Sequence, residues 1–135
     1  MIALPKKVYE AMVEHAKKGY PNEACGILAG RKENFASDFF AMRNVDEAAI
    51  SYFMDPKEQL TVFKEIRQKG LDMRGIFHSH VASAAYPSQK DVRLAFYPEV
   101  SYLIVSLSDR MKPVLRSFRI AEEKVTEEEV QIVSD

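Results

Sequence analysis

Residues 77–91, Phe77-His78-Ser79-His80-Val81-Ala82-Ser83-Ala84-Ala85-Tyr86-Pro87-Ser88-Gln89-Lys90-Asp91, run from the end of an apolar segment, across a loop of small residues, into the start of a short helix. Side chains two apart on an extended chain point the same way, so His78 and His80 converge while Ser79 faces elsewhere. Asp91, in the first turn of the helix, is carried back toward the strand end by the loop and offers a third, anionic ligand. Two imidazoles and one carboxylate leave the fourth tetrahedral position to water, the pattern of a catalytic zinc site rather than a closed structural one.

Plainer readings compete with this one. On its own, a pair of histidines at i and i+2 is more often a hydrogen-bonding or surface feature, and Ser88-Gln89-Lys90-Asp91 also matches a helix capping box. Neither excludes a metal, because two of the three histidines stand together at the end of an apolar strand. His15, alone on the first helix, reads as a surface or boundary residue. Iron held by two histidines and a carboxylate is a minor alternative. Zinc deaminases need a Pro-Cys-x-x-Cys element, whereas this chain has one cysteine, and there is no His-Glu-x-x-His. Cys25, in an apolar strand and without an evident base, reads as inert.

Outward from this segment, strands are predicted at Met73 to Phe77, Val100 to Leu107 and Val114 to Ile120, with a short helix from Ser88 to Phe96 stopped before Pro98. Upstream, a helix follows Pro5, buries Val8, Met12 and Ala16, and ends at Gly19. Ala24 to Gly30 reads as a buried strand, joined through a charged turn at residues 31–34 to a second strand from Phe35 to Met42. Asp55-Pro56-Lys57-Glu58 combines a capping acid, a proline and a glutamate, which predicts a helix from Pro56 to Gly70 burying Leu60, Phe63 and Ile66. In the tail, Glu122 to Asp135, an acidic run reads as a solvated face, and Val130, Ile132 and Val133 offer an edge strand.

The chain has 135 residues, 47% hydrophobic and 29% charged, and shows neither a repeat nor a Gly/Ser-rich linker; residues 1–135 read as a single domain. A formal net charge of -1 gives no overall bias toward nucleic acid or an anionic membrane. No stretch approaches the roughly 18 apolar residues of a membrane span. The start lacks a signal-peptide core, and the lone cysteine fits a reducing compartment, so a cytoplasmic location is expected.

His78-Ser79-His80, seven residues, Ser88, two residues and Asp91, with Glu23 far upstream, resemble the signature of the JAMM (MPN+) metalloprotease family. Pro21 to Leu28 and Tyr52-Phe53-Met54-Asp55-Pro56-Lys57-Glu58 are similar to its stand-alone prokaryotic branch. The resemblance implies an α+β fold with a mixed, curled sheet flanked by helices. It implies Zn²⁺ held by His78, His80 and Asp91, with Glu23 as general base and Ser88 as donor to the oxyanion. It also implies a substrate: a peptide or isopeptide bond after the C-terminal Gly-Gly of a ubiquitin-like sulfur-carrier protein. Val81 stands where family members generally carry proline, a departure that bears on loop geometry or substrate fit rather than on metal binding. Two other functions remain open, a non-cleaving scaffold that binds ubiquitin-like tails and a metal-dependent amidohydrolase acting on small molecules. Retention of Glu23 and Ser88 favours the peptidase. The sequence leaves the oligomeric state open.

Overall fold

Apolar side chains on both faces of successive strands build a sheet that must be covered twice. In the computed structural model, which describes residues 1–135, the chain runs β1 (Ile2–Pro5), α1 (Lys6–Gly19), β2 (Cys25–Gly30), β3 (Asp38–Met42), α2 (Pro56–Gln68), β4 (Asp72–His80), α3 (Gln89–Arg93), β5 (Ser101–Ser106), β6 (Val114–Ala121), β7 (Lys124–Glu128) and β8 (Val130–Val133). Six strands form one sheet in the order β3-β2-β4-β5-β6-β7, and β1 pairs with β8 in a separate two-stranded sheet. β4 and β5 are parallel and the other neighbours in the large sheet antiparallel, so the sheet is mixed, as the family resemblance implies. Ile27, Ile76, Ile104 and Phe118 pack with Val62 and Ile66 of α2 on one face. Leu28, Phe77, Leu103 and Val105 pack with Val8, Met12 and Ala16 of α1, and with Ile2 and Leu4 of β1, on the other.

Several boundaries differ from the sequence reading, each for a physical reason. β1 has no counterpart in the sequence reading; α1 follows Pro5 and ends at Gly19 as expected, with Pro5 serving both as the last residue of β1 and as the N-cap of α1. β3 begins at Asp38 instead of Phe35 because the preceding backbone pairs with β1: Ala3 N–H donates to Asn34 O at 2.8 Å, and Ala36 N–H to Ala3 O at 2.9 Å. α2 buries Val62 and Ile66, with Phe63 partly covered, whereas Leu60 is 55% exposed. The Glu58 carboxylate accepts the Arg43 N–H at 2.8 Å. Glu58, Val62 and Ile66 therefore share the sheet-facing stripe, and Leu60 lies about 200° round the helix from Glu58.

α3 stops at Arg93 rather than Phe96, since the Tyr97 N–H donates to the Tyr102 hydroxyl at 3.0 Å instead of extending the helix toward Pro98. In the tail, the acidic run becomes β7 on the edge of the large sheet, and Val130 to Val133 form the expected edge strand, paired with β1 in the small sheet. Nor is the acidic run wholly a solvated face: the Glu128 side chain is 8% exposed and binds Ser117, Arg119 and the terminal amine of Met1.

Candidate active site

β4 continues through both histidines, and His78 and His80 lie on the α2 side of the sheet with Ile76. Ser79 points the other way, where its hydroxyl accepts the Ala24 N–H at 2.8 Å while its own N–H donates to Ala24 O at 3.0 Å. Cys25 is in register with His78 across the β2–β4 pair. Continuing that register two residues back along one strand and two forward along the other places Glu23 opposite His80. Parity puts Glu23 on the same face as the two histidines. Ser79 thus ties down the chain beside Glu23, a role the sequence reading missed; its only sequence signal is its place between the histidines.

Asp91 arrives from α3. The capping box is real: Ser88 Oγ accepts the Asp91 N–H at 3.0 Å, and Asp91 Oδ2 accepts the Ser88 N–H at 2.9 Å. The same Oδ2 lies 3.0 Å from His78 Nε2 and 3.0 Å from His80 Nε2, and the two imidazole nitrogens are 3.1 Å apart. The cap therefore aims the carboxylate at the histidines, so the capping and ligand readings describe one arrangement. The 81–87 loop is anchored despite Val81: His80 Nδ1 bonds Ala84 O at 2.8 Å, Ser106 Oγ donates to Ser83 O at 2.6 Å, and Ala85 is buried.

This donor set fits a metal ion. His80 Nδ1 must carry a hydrogen to bond the Ala84 carbonyl, so neutral His80 presents the lone pair of Nε2 to the centre of the triangle. Three electron-rich atoms then face one another, and a single proton satisfies only one edge; a cation among them satisfies all three. His78, His80 and Asp91 form the one cluster of metal-type donors in the chain whose ligand atoms lie within 4.8 Å of each other.

Glu23 is 6% exposed, and its Oε1 is buried with no hydrogen-bond partner. Burial pushes its pKa up to about 7, the charge of His80 pulling the other way and that of Asp91 adding to the rise. Asp91 is the reverse case: burial raises its pKa, but the imidazoles of His78 and His80 beside it outweigh this and hold it well below the usual carboxylate range. Burial lowers the pKa of His78. For His80 burial acts downward too, but the bonds to Asp91 and Ala84 leave the net shift upward. Burial pushes the Cys25 thiol up to about 12, consistent with an inert residue. His15 is partly buried and bridges the Cys25 and Met42 carbonyls at 3.0 and 3.2 Å.

The family described as prokaryotic homologs of the JAB domain matches residues 5–121. The chain belongs to this family. As a JAB-domain protein it is 37% identical over 134 residues to CysO-cysteine peptidase of Mycobacterium tuberculosis (strain ATCC 25618 / H37Rv), an alignment covering 98% of this chain and 92% of that one. It is 32% identical over 118 residues to desampylase of Haloferax volcanii, covering 82% of this chain and 84% of the relative. The solved structure of protein DSY2949 from Desulfitobacterium hafniense superposes with a TM-score of 0.91 at 45% identity, covering 100% of this JAB-domain chain and 94% of its own.

Proposed function

We propose that this JAB-domain chain, read as one domain over residues 1–135, is a zinc-dependent peptide or isopeptide hydrolase that cleaves after the C-terminal Gly-Gly of a ubiquitin-like sulfur-carrier protein. The observation that carries the reading is the convergence of His78 Nε2, His80 Nε2 and Asp91 Oδ2 within hydrogen-bond distance of one another, beside the buried, unpartnered carboxyl oxygen of Glu23. Relatives named CysO-cysteine peptidase and desampylase support a carrier-protein substrate. No helix is long and apolar enough to cross a membrane. A cytoplasmic setting is supported by the single unpaired Cys25.

His78, His80 and Asp91 would hold the metal, and two neutral imidazoles with one carboxylate suit zinc. A zinc ion there supplies Lewis acidity, lowering the pKa of water to roughly 7 and polarising a carbonyl. Glu23 takes the proton from the attacking water and returns it to the leaving amine; its buried Oε1 has no hydrogen-bond partner of its own and is free for both transfers. Ser88 uses a lone pair on its own helix cap, which leaves its O–H free to donate to the carbonyl oxygen as negative charge gathers there. Water adds to the carbonyl carbon, the C–N bond breaks, and a free carboxylate and an amine result.

The test is a carrier protein extended beyond its C-terminal Gly-Gly, incubated with the zinc-loaded protein and compared with a small cysteine amide. Cleavage is expected at the Gly-Gly junction and should disappear with a chelator. Hydrolysis of the small amide alone would instead mark an amidohydrolase, and binding of the carrier without cleavage a scaffold.

A further inference from the structure

His80 is oriented by a hydrogen bond at Nδ1, but the Nδ1 of His78 is buried without a partner. Either neutral tautomer of His78 leaves that nitrogen unsatisfied, so some other contact must fix the ring. That contact is Tyr52, stacked on His78 with centroids 4.8 Å apart and planes 21° from parallel. Tyr52 lies in the loop between β3 and α2, which is folded around one side chain. Asn44 Nδ2 donates to Ser51 O at 3.0 Å and to Glu23 O at 2.9 Å. Asn44 Oδ1 accepts the N–H of Asp46 and that of Phe53, each at 3.0 Å. These are all four hydrogen bonds a primary amide can make. Two of them grip Ser51 and Phe53, the neighbours of Tyr52 on either side, and a third holds the backbone of Glu23. The Glu23 N–H donates to Ala48 O of the same loop at 2.8 Å.

We propose that Asn44 is a positioning residue for both halves of the site, holding Tyr52 flat against His78 and holding Glu23 in place opposite His80. The catalytic part of this inference rests on the hydrolase reading above; the part concerning His78 does not. Asn44→Asp keeps the acceptor for Asp46 and Phe53 but loses both donated bonds. Asn44→Ala loses all four. Asp46→Ala is the control within the same loop, since it removes only the bond from Ser51 Oγ to Asp46 Oδ2 and leaves the bonds of Asn44 in place. Tyr52→Leu removes the stack while leaving the Asn44 bonds intact.

Three readouts are taken: zinc affinity by competition with a chromophoric chelator, the ¹H shifts of the His78 ring in metal-free protein, and kcat and KM on the carrier fusion. Asn44→Asp and Asn44→Ala are expected to weaken zinc binding roughly 10- to 100-fold and to move the His78 ring protons downfield as the ring current of Tyr52 is lost. At saturating zinc, kcat should fall about 10-fold or more with KM within about twofold. Tyr52→Leu should reproduce the loss of zinc affinity, and Asp46→Ala should match wild type throughout. If Asn44→Ala fails to fold, Asn44→Asp and Tyr52→Leu decide. Wild-type zinc affinity and His78 shifts in Asn44→Asp, wild-type affinity in Tyr52→Leu, or equal losses in Asp46→Ala would each overturn the proposal. If the wild-type protein cleaves no carrier, the hydrolase reading fails separately, and zinc affinity and the ring shifts still test the positioning.

Discussion

Glu23 has a carboxyl group in a place that disfavours its charge, and this separates its chemical role from its structural one. Glu23→Gln keeps the shape but cannot accept a proton, so the variant should retain zinc and fold while losing hydrolysis by about 10² or more, as read by metal analysis and turnover of the same sample. A second consequence concerns pH. The folded-state pKa, about 7, lies above the ordinary 4.5, so burial of this group destabilises the fold as pH rises from about 4.5 to 7 and has no effect below that window. In metal-free protein, Glu23→Gln should therefore match wild type at pH 4 and be more stable by about 1–2 kcal/mol at pH 8, the shift being discounted for solvent screening. Denaturant titrations at the two pH values measure this. Ser88 caps α3, and in the proposed mechanism the same hydroxyl also serves the oxyanion. Ser88→Ala should cost roughly 0.5–2 kcal/mol of stability as a lost cap and lower kcat on the order of 10² as a lost oxyanion donor. Ser88→Asp restores the cap but puts negative charge where the oxyanion forms; a stable, zinc-loaded and nearly inactive protein is expected, and wild-type turnover by it would reduce Ser88 to a cap.

At the scale of elements, the β6–β7 hairpin shows why some boundaries escaped the sequence reading. Ala121 pairs with Lys124, leaving a two-residue loop of Glu122 and Glu123 with φ of 51° and 62°. A loop with positive φ at both positions favours Asn-Gly, and glutamate there carries a Cβ penalty. The hairpin lacks its usual sequence signal because it forms against local preference, held by the pairing on either side. Replacing Glu122 by Asn and Glu123 by Gly together should raise stability by about 1–2 kcal/mol, seen as a higher denaturation midpoint with unchanged catalysis. A lower midpoint would show that the two glutamates make contacts worth more than the strain. α2 carries a related lesson. Its capping acid and proline fixed where it starts, but its rotation is that which buries Val62 and Ile66 on the sheet and brings Glu58 to the backbone of Arg43, contacts across the chain that periodicity alone does not contain.

For the whole molecule, the site is attached to a fold whose two cores do not depend on it. The apolar layers against α1 and α2 are large and built from residues other than the proposed ligands, so removing the proposed zinc should weaken the protein without unfolding it. At 100 times its dissociation constant a ligand adds about 2.7 kcal/mol, and chelation should lower Tm by several degrees with the far-UV circular dichroism preserved. Collapse of that spectrum on chelation would show the metal to be structural. The sequence by itself determined that His78 and His80 share a face, through strand alternation, and that Ser88 to Asp91 forms a cap, and both are short-range facts. It likewise determined α1, α2 and the central strands, whose periodicities are local and strong. Only the tertiary structure decided what brings Glu23 opposite His80, which is the antiparallel register of β2 on β4. It also decided that β1 pairs with β8 across nearly the full length of the chain, that Glu128 turns inward to Ser117, and that Asn44 joins Glu23 to the Tyr52 loop. In each case the partner is distant in sequence, and the free energy that selects it comes from burial and hydrogen bonds that exist only once the sheet has formed.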